Sequence, residues 1–253
     1  MNALAMSLAI CAVLIVGGLT GILLRRCLPE THLDSSTKDV VRLGCALVAT
    51  MSGMVLGMLT SSAKANYDAQ RDEIRGLASQ AALLDWLLSK YGPEATPSRV
   101  QLREALAVMV KRIWNDGAIG AAHLGPMQTS PEGETVYESI RGLAPADDLQ
   151  KHYRDHALES AHIVLQARLT LYHQTDSVMP ELFLVVLVFW LFVLFASFSL
   201  FTPINTTAFI ALKLIALCVS GAIFVILELY QPFSGLMQIH SDTLSNAIPP
   251  MRV

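Results

Sequence analysis

The chain has 253 residues, of which 53 % are hydrophobic and only 15 % charged, with a mean hydropathy of +0.48. A soluble domain carries about 25 % charged residues, which argues against a wholly water-soluble fold. Lys+Arg 18 against Asp+Glu 21 give a net charge of −3, and with no large basic patch nucleic-acid binding drops out as a function.

Four segments are long and apolar enough to cross a bilayer core of roughly 30 Å, which takes about 20 residues of helix. The first is uncharged from Ala3 to Leu24 and stops at Arg25-Arg26. It reads as a retained span, because Met1-Asn2 supplies no basic residue of the kind that precedes a cleaved signal segment. The second runs uncharged between Arg42 and Lys64, and Ser36-Thr-Lys-Asp39 before it can close as a capping box. The third (Leu182 to Phe201) and fourth (Thr206 to Leu229) form a hairpin broken at Pro203, which lacks a backbone donor.

Four spans place both termini and everything between Ala63 and Met179 on one side. Arg25, Arg26, Lys38 and Arg42 flank one face, and Lys64, Arg71, Arg75 and Arg168 flank the other. The two sets balance, so the positive-inside rule assigns neither side.

No Pro and a single Gly beyond the span, Gly76, occur from Lys64 to Tyr91. The second span therefore continues as one helix to Gly92-Pro93, a rod of roughly 75 Å at about 1.5 Å per residue. Ile74, Leu77, Ala78, Ala81, Leu84, Leu88 and Tyr91 recur at helical spacing and need a partner. Two further helices supply it, one from Thr96-Pro97 to Asn115 and one from Pro145-Ala-Asp-Asp148 onwards, with residues 117–144 between them reading as loop with one helical turn at most. The fold class is all-α: a polytopic membrane protein with four transmembrane helices and a helical extramembrane extension between spans two and three. Its parts are 1–62 (spans one and two), 63–179 (the helical domain), 180–230 (spans three and four) and 231–253 (a C-terminal turn and short helix).

Cys11, Cys27, Cys45 and Cys218 lie in or beside apolar runs and spell neither a disulfide framework nor a zinc site. Asp148, His152, Asp155, His156, Glu159 and His162 fall on neighbouring turns, and Glu159-Ser-Ala-His162 has the E-x-x-H spacing of di-iron bundles. No second copy exists in the chain, so a hydrated polar face is the expectation, with no metal and no cofactor. Catalytic patterns such as G-x-S-x-G, the P-loop and H-E-x-x-H are absent from the sequence, so no enzymatic activity is expected.

Lys213 and Glu228 are the charges inside the fourth span, and ionisable groups at membrane depth are costly enough to be functional candidates. Lys213 either contacts an ion or snorkels to the interface. Glu228 either serves a pore or accepts from backbone donors around the Pro232 turn. In span two, Ala46, Thr50, Gly53, Gly57 and Ser61 form one small, weakly polar stripe. Tight helix packing and pore lining both explain it, and in the second case Lys64 stands at the mouth.

The stretch from Phe201-Thr-Pro-Ile-Asn205 through Glu228-Leu-Tyr-Gln-Pro232-Phe233-Ser-Gly235 is similar to the bacterial bestrophin-like membrane family. Ala63-Lys64 and the run from Leu84-Asp85-Trp-Leu-Leu-Ser-Lys-Tyr91-Gly92 to Ala95 carry the likeness over most of the chain. True bestrophins, a more distant resemblance, are pentameric anion channels with termini and insert in the cytoplasm. The resemblance implies a homo-oligomer in a bacterial inner membrane that conducts a small inorganic ion, more readily an anion. It further implies a cytoplasmic helical domain. On that reading Thr50, Gly53, Gly57 and Ser61 line the path, Lys64 and Lys213 set the local field, and Glu228, Pro232, Phe233 and Gly235 build the turn after span four. After that turn the chain has one acid, Asp242, where a calcium-clasping run would stand, so calcium gating is not implied. The alternative is a non-conducting anchor whose helical domain binds a protein partner.

Overall fold

The computed structural model describes residues 3–29, 34–115, 131–175, 181–202 and 206–247. Among these residues the structure is α-helical and contains no strand: α1 (Ala3–Cys27), α2 (Ser35–Tyr91), α3 (Thr96–Asn115), α4 (Pro131–Arg141), α5 (Asp148–Thr175), α6 (Glu181–Phe201), α7 (Thr206–Leu229) and α8 (Asp242–Ser245). Helices α1, α2, α6 and α7 are long and apolar enough to cross a membrane. The chain is thus an all-α membrane protein of four spans. It divides into two compact units, Met1–Ala65 with Val178–Tyr230, and Asn66–Ser177 with Gln231–Val253.

In the first unit α1 runs parallel to α6. Gly17 packs on Phe192 and Gly21 on Ala196, and the Arg25 guanidinium donates to the Thr202 carbonyl at the end of α6. Leu212 of α7 closes on Gly18 from the other side. Helix α2 meets this group antiparallel to α6, with Arg42 and Ala49 beside Phe198 and Phe201. The last turn of α7 reaches it through Tyr230, whose hydroxyl lies 3.3 Å from Ser62 Oγ. Successive spans therefore alternate in direction, as four consecutive crossings must.

Close packing on small residues is seen along α1, while the α2 stripe, which tight packing and pore lining both explain, has no such neighbour among the described residues of its own chain. A β-carbon on Gly21 or Gly18 of α1 would clash with α6 or α7 and one on Gly17 would press on Phe192, whereas one on Gly53 or Gly57 of α2 would meet nothing within 4 Å among the described residues. Among the described residues of the chain, the close backbone approach that small residues permit in lipid belongs to α1.

The second unit has its own core. Ile74, Leu77, Leu84 and Leu88 of α2 pack with Leu102 and Ile113 of α3, Val136 and Ile140 of α4, Ala157 and Ala161 of α5, and Phe233, Ile239 and Leu244 of the C-terminal segment. Two local expectations are corrected. Helix α2 starts at Ser35, with Asp34 Oδ1 accepting from the Thr37 amide at 3.3 Å, so the cap is Asp34 and not Ser36; the side chain of Ser36 lies outside the described residues. Part of the expected 117–144 loop is the helix α4, because Val136 and Ile140, four apart, bury one face that outweighs the cost of Gly133. Residues 117–130 and Pro203 lie outside the described residues.

The N-terminus of α5 is capped as its acids suggested. Asp147 Oδ1 accepts from the Gln150 amide at 2.6 Å, and Gln150 Oε1 accepts from the Ala146 amide at 2.8 Å, the reciprocal pattern of a capping box shifted by one residue.

Candidate functional site

At about 100° per residue, α2 in the membrane unit presents three faces. Ser52, Leu59 and Ala63 are buried and share one face. Roughly opposite stand Thr50, Gly53, Gly57 and Ser61, all exposed, with exposed Lys64 continuing the same stripe. Beside it Leu43, Leu47, Met51, Met54 and Met58 form an exposed band of large apolar side chains, Met54 being 81 % exposed. One rod thus turns a packed face to its own chain, a small weakly polar face outward, and a lipid-like face next to that.

The stripe's chemistry is sparse. Thr50 Oγ1 donates to the Leu47 carbonyl at 2.7 Å, so its hydrogen is committed and its oxygen keeps only acceptor capacity. Gly53 and Gly57 expose backbone, Ser61 offers a hydroxyl, and Lys64 offers a cation. No acid occurs between Arg42 and Lys64, so α2 itself places no carboxylate along this face.

Lys213 is elsewhere. Its Nζ lies 4.4 Å from the Phe209 ring centroid, and its neighbours Ile15, Leu19, Phe195 and Leu212 come from α1, α6 and α7. The structure does not bring it onto the α2 stripe. A cation over a ring face is favourable and offsets part of the cost of holding an ammonium among apolar groups. Glu228 is 5 % exposed in the last turn of α7.

The turn after α7 is a folded structure. The Ser234 amide donates to the Gln231 carbonyl and the Ile239 amide to that of Pro232, the latter at 2.7 Å. Gly235 sits at φ 95°, where a side chain would be strained. Phe233 is buried and stands edge-on to Trp114 with centroids 5.7 Å apart, and Trp114 Nε1 donates to the Ile239 carbonyl at 2.6 Å. These contacts tie the segment to α3.

The sequence did not single out the ion pair of the second unit. Asp85, with 6 % exposure, accepts from Arg99 Nε and a terminal nitrogen, both at 2.9 Å, while Arg103 approaches to 3.9 Å. Donating to the Asp85 carboxylate holds the Arg99 pKa above its ordinary value. Its signal was an acid placed between Leu84 and the Trp86-Leu-Leu run, on the apolar stripe. A few residues on, Gly92 takes φ 132°, and Gln150 Nε2 donates to the Tyr91 carbonyl at 3.1 Å, which fixes the end of α2.

The acid and histidine stripe of α5 lies open. His156 Nδ1 is 3.3 Å from Glu159 Oε2 on an exposed surface, the His152 and His156 rings meet edge-on, and His162 pairs with Gln166. Among the described residues no three His, Cys, Asp or Glu side chains converge closely enough to hold a metal ion.

No curated protein matches the chain significantly, and neither does any solved structure. The bestrophin-like domain matches residues 11–244. That match covers both units, from within α1 to α8, and the chain belongs to the bestrophin-like family.

Proposed function

We propose that several copies of this chain assemble in the bilayer into a pathway for small inorganic ions, anions in preference to cations, lined by the small-residue face of α2. The observation that carries this reading is that a β-carbon added to Gly53 or Gly57 would meet nothing within 4 Å among the described residues of its own chain, although both lie on a helix whose opposite face is buried. A face of exposed glycine backbone and hydroxyls between apolar helices suits contact with water and ions around a shared axis better than contact with acyl chains. Lys64 at one end and the lack of acids along the face favour anions. Lys213, set among α1, α6 and α7, acts on the path only through its field, and the Glu228 to Gly235 segment is structural. The membrane is a bacterial inner membrane, with residues 63–179 in the cytoplasm.

The rival reading, a non-conducting anchor whose second unit binds a protein, is favoured by Trp86 and Leu149, which are 49 % and 60 % exposed on that unit. Chloride efflux from liposomes holding the purified, mass-determined oligomer separates the two. The channel reading requires efflux that Gly57→Leu abolishes while the oligomer stays intact. Vesicles as tight as protein-free controls leave only the anchor.

A further inference from the structure

A cleft of about 360 Å3 opens on the first unit between the start of α2 and the end of α6. Its walls include Cys45, Ala46 and Ala49 on one side and Phe198 and Phe201 on the other, with Arg42 at the rim. The volume is many times the roughly 30 Å3 that a water molecule occupies, and the lining is mostly apolar, with Ser197 and Thr202 its polar residues besides Arg42. The small side chains of α2 create the cleft, since larger ones at 45, 46 and 49 would close it against the two phenylalanines.

The rim lies where the ends of α1 and α6 meet the beginning of α2, because Arg25 donates to the Thr202 carbonyl at this same end. The charge-free runs of α1, α2 and α6 begin or end at this level, the depth at which a bilayer's hydrocarbon gives way to headgroups. Arg25 is committed to Thr202, whereas Arg42 has no carboxylate within 4 Å among the described residues and is exposed. Half-buried Lys38 stands one turn earlier on α2. An apolar slot beneath an uncommitted guanidinium at headgroup depth matches one chemistry: an acyl chain joined to a phosphate of net negative charge.

We propose that this cleft is a binding site for an anionic phospholipid, with one acyl chain between α2 and α6 and the headgroup phosphate on Arg42. The site stands whether or not the protein conducts. It gives the chain a preference for anionic bilayers and fills the gap that the small residues leave beside α6.

Native mass spectrometry of the full-length protein, purified from equimolar phosphatidylglycerol and phosphatidylcholine, tests this directly. The expected result is retained phosphatidylglycerol in excess of phosphatidylcholine by about fivefold, the factor that one cation near an anionic surface contributes. Arg42→Gln should bring the ratio close to unity without reducing the amount of folded protein. Ala49→Phe, which fills the slot, should remove both retained lipids. Should Ala49→Phe fail to fold, Arg42→Gln alone still decides. An unchanged ratio in Arg42→Gln overturns the proposal, as does full lipid retention in folded Ala49→Phe. Displacement of the lipid by inorganic phosphate would assign a free-anion site instead. Efficient disulfide cross-linking of Cys45 between two copies would assign the cleft to a neighbouring subunit.

Discussion

Gly21 of α1 lies so close to Ala196 of α6 that a β-carbon on it would overlap the Ala196 carbonyl oxygen. Two helices in lipid gain little from apolar burial against each other and depend on close contact, which this pair provides. Among the described residues Gly53 and Gly57 of α2 have no such neighbour, so the two pairs of glycines differ in what they contribute to packing within the chain.

Substitutions to alanine at the two kinds of glycine should therefore have opposite signs. Gly21→Ala forces a methyl group into backbone and should cost about 3 kcal/mol, the upper end of ordinary overpacking. Gly53→Ala meets nothing and, by restricting a flexible helical residue, should be neutral or stabilise the subunit by about 0.5 kcal/mol. Thermal unfolding of both variants in one detergent measures the contrast.

Asp85→Asn leaves the Arg99 guanidinium facing a neutral amide in a partly buried site. Loss of a buried pair by removal of one partner costs about 3 kcal/mol. Because the pKa of Arg99 is raised in the folded state, its contribution is fully present below the unfolded value and is lost only as pH rises through the folded value, in strongly alkaline solution. The loss caused by Asp85→Asn should accordingly be equal at about pH 6 and about pH 9 in chemical denaturation.

The C-terminal turn should be held by its tryptophan. Trp114→Phe keeps an aromatic ring near Phe233 but removes the donor to the Ile239 carbonyl, leaving a partly buried acceptor unpaired at a cost of about 1 kcal/mol. Gly235→Ala adds about 1–2 kcal/mol of backbone strain at positive φ. Both variants should expose residues 231–247 to limited proteolysis faster than wild type, with Trp114→Phe retaining the far-ultraviolet helical signal.

Much of the fold was legible because charge-free runs and helix-ending dipeptides are local signals. The third and fourth spans end where Glu181, Phe201 and Leu229 said they would, and α2 stops at Tyr91 ahead of a glycine that adopts φ 132°. What escaped depends on partners. Gly17 and Gly21 are spaced as G-x-x-x-G like Gly53 and Gly57, and sequence alone cannot say which pair meets a neighbour. Helix α4 was hidden by the glycines and prolines around it, since Val136 and Ile140 become persuasive only when a core exists to receive them. Asp85 and Arg99 are fourteen positions apart on different helices, beyond any periodicity. For the stripe itself, the face was legible in the sequence, and the structure adds that the described residues of the chain leave it uncovered.

The most direct test of the account is thiol blockade of flux. The four native cysteines are replaced, single cysteines are placed at Thr50, Ser61 and Met54, and chloride efflux from liposomes is followed before and after a charged, water-soluble methanethiosulfonate. A water-filled path along the small-residue face of α2 gives efflux that is blocked at Thr50→Cys and Ser61→Cys and unaffected at Met54→Cys, which lies on the large apolar band. Absence of efflux, or block at Met54→Cys with none at the other two, would contradict it.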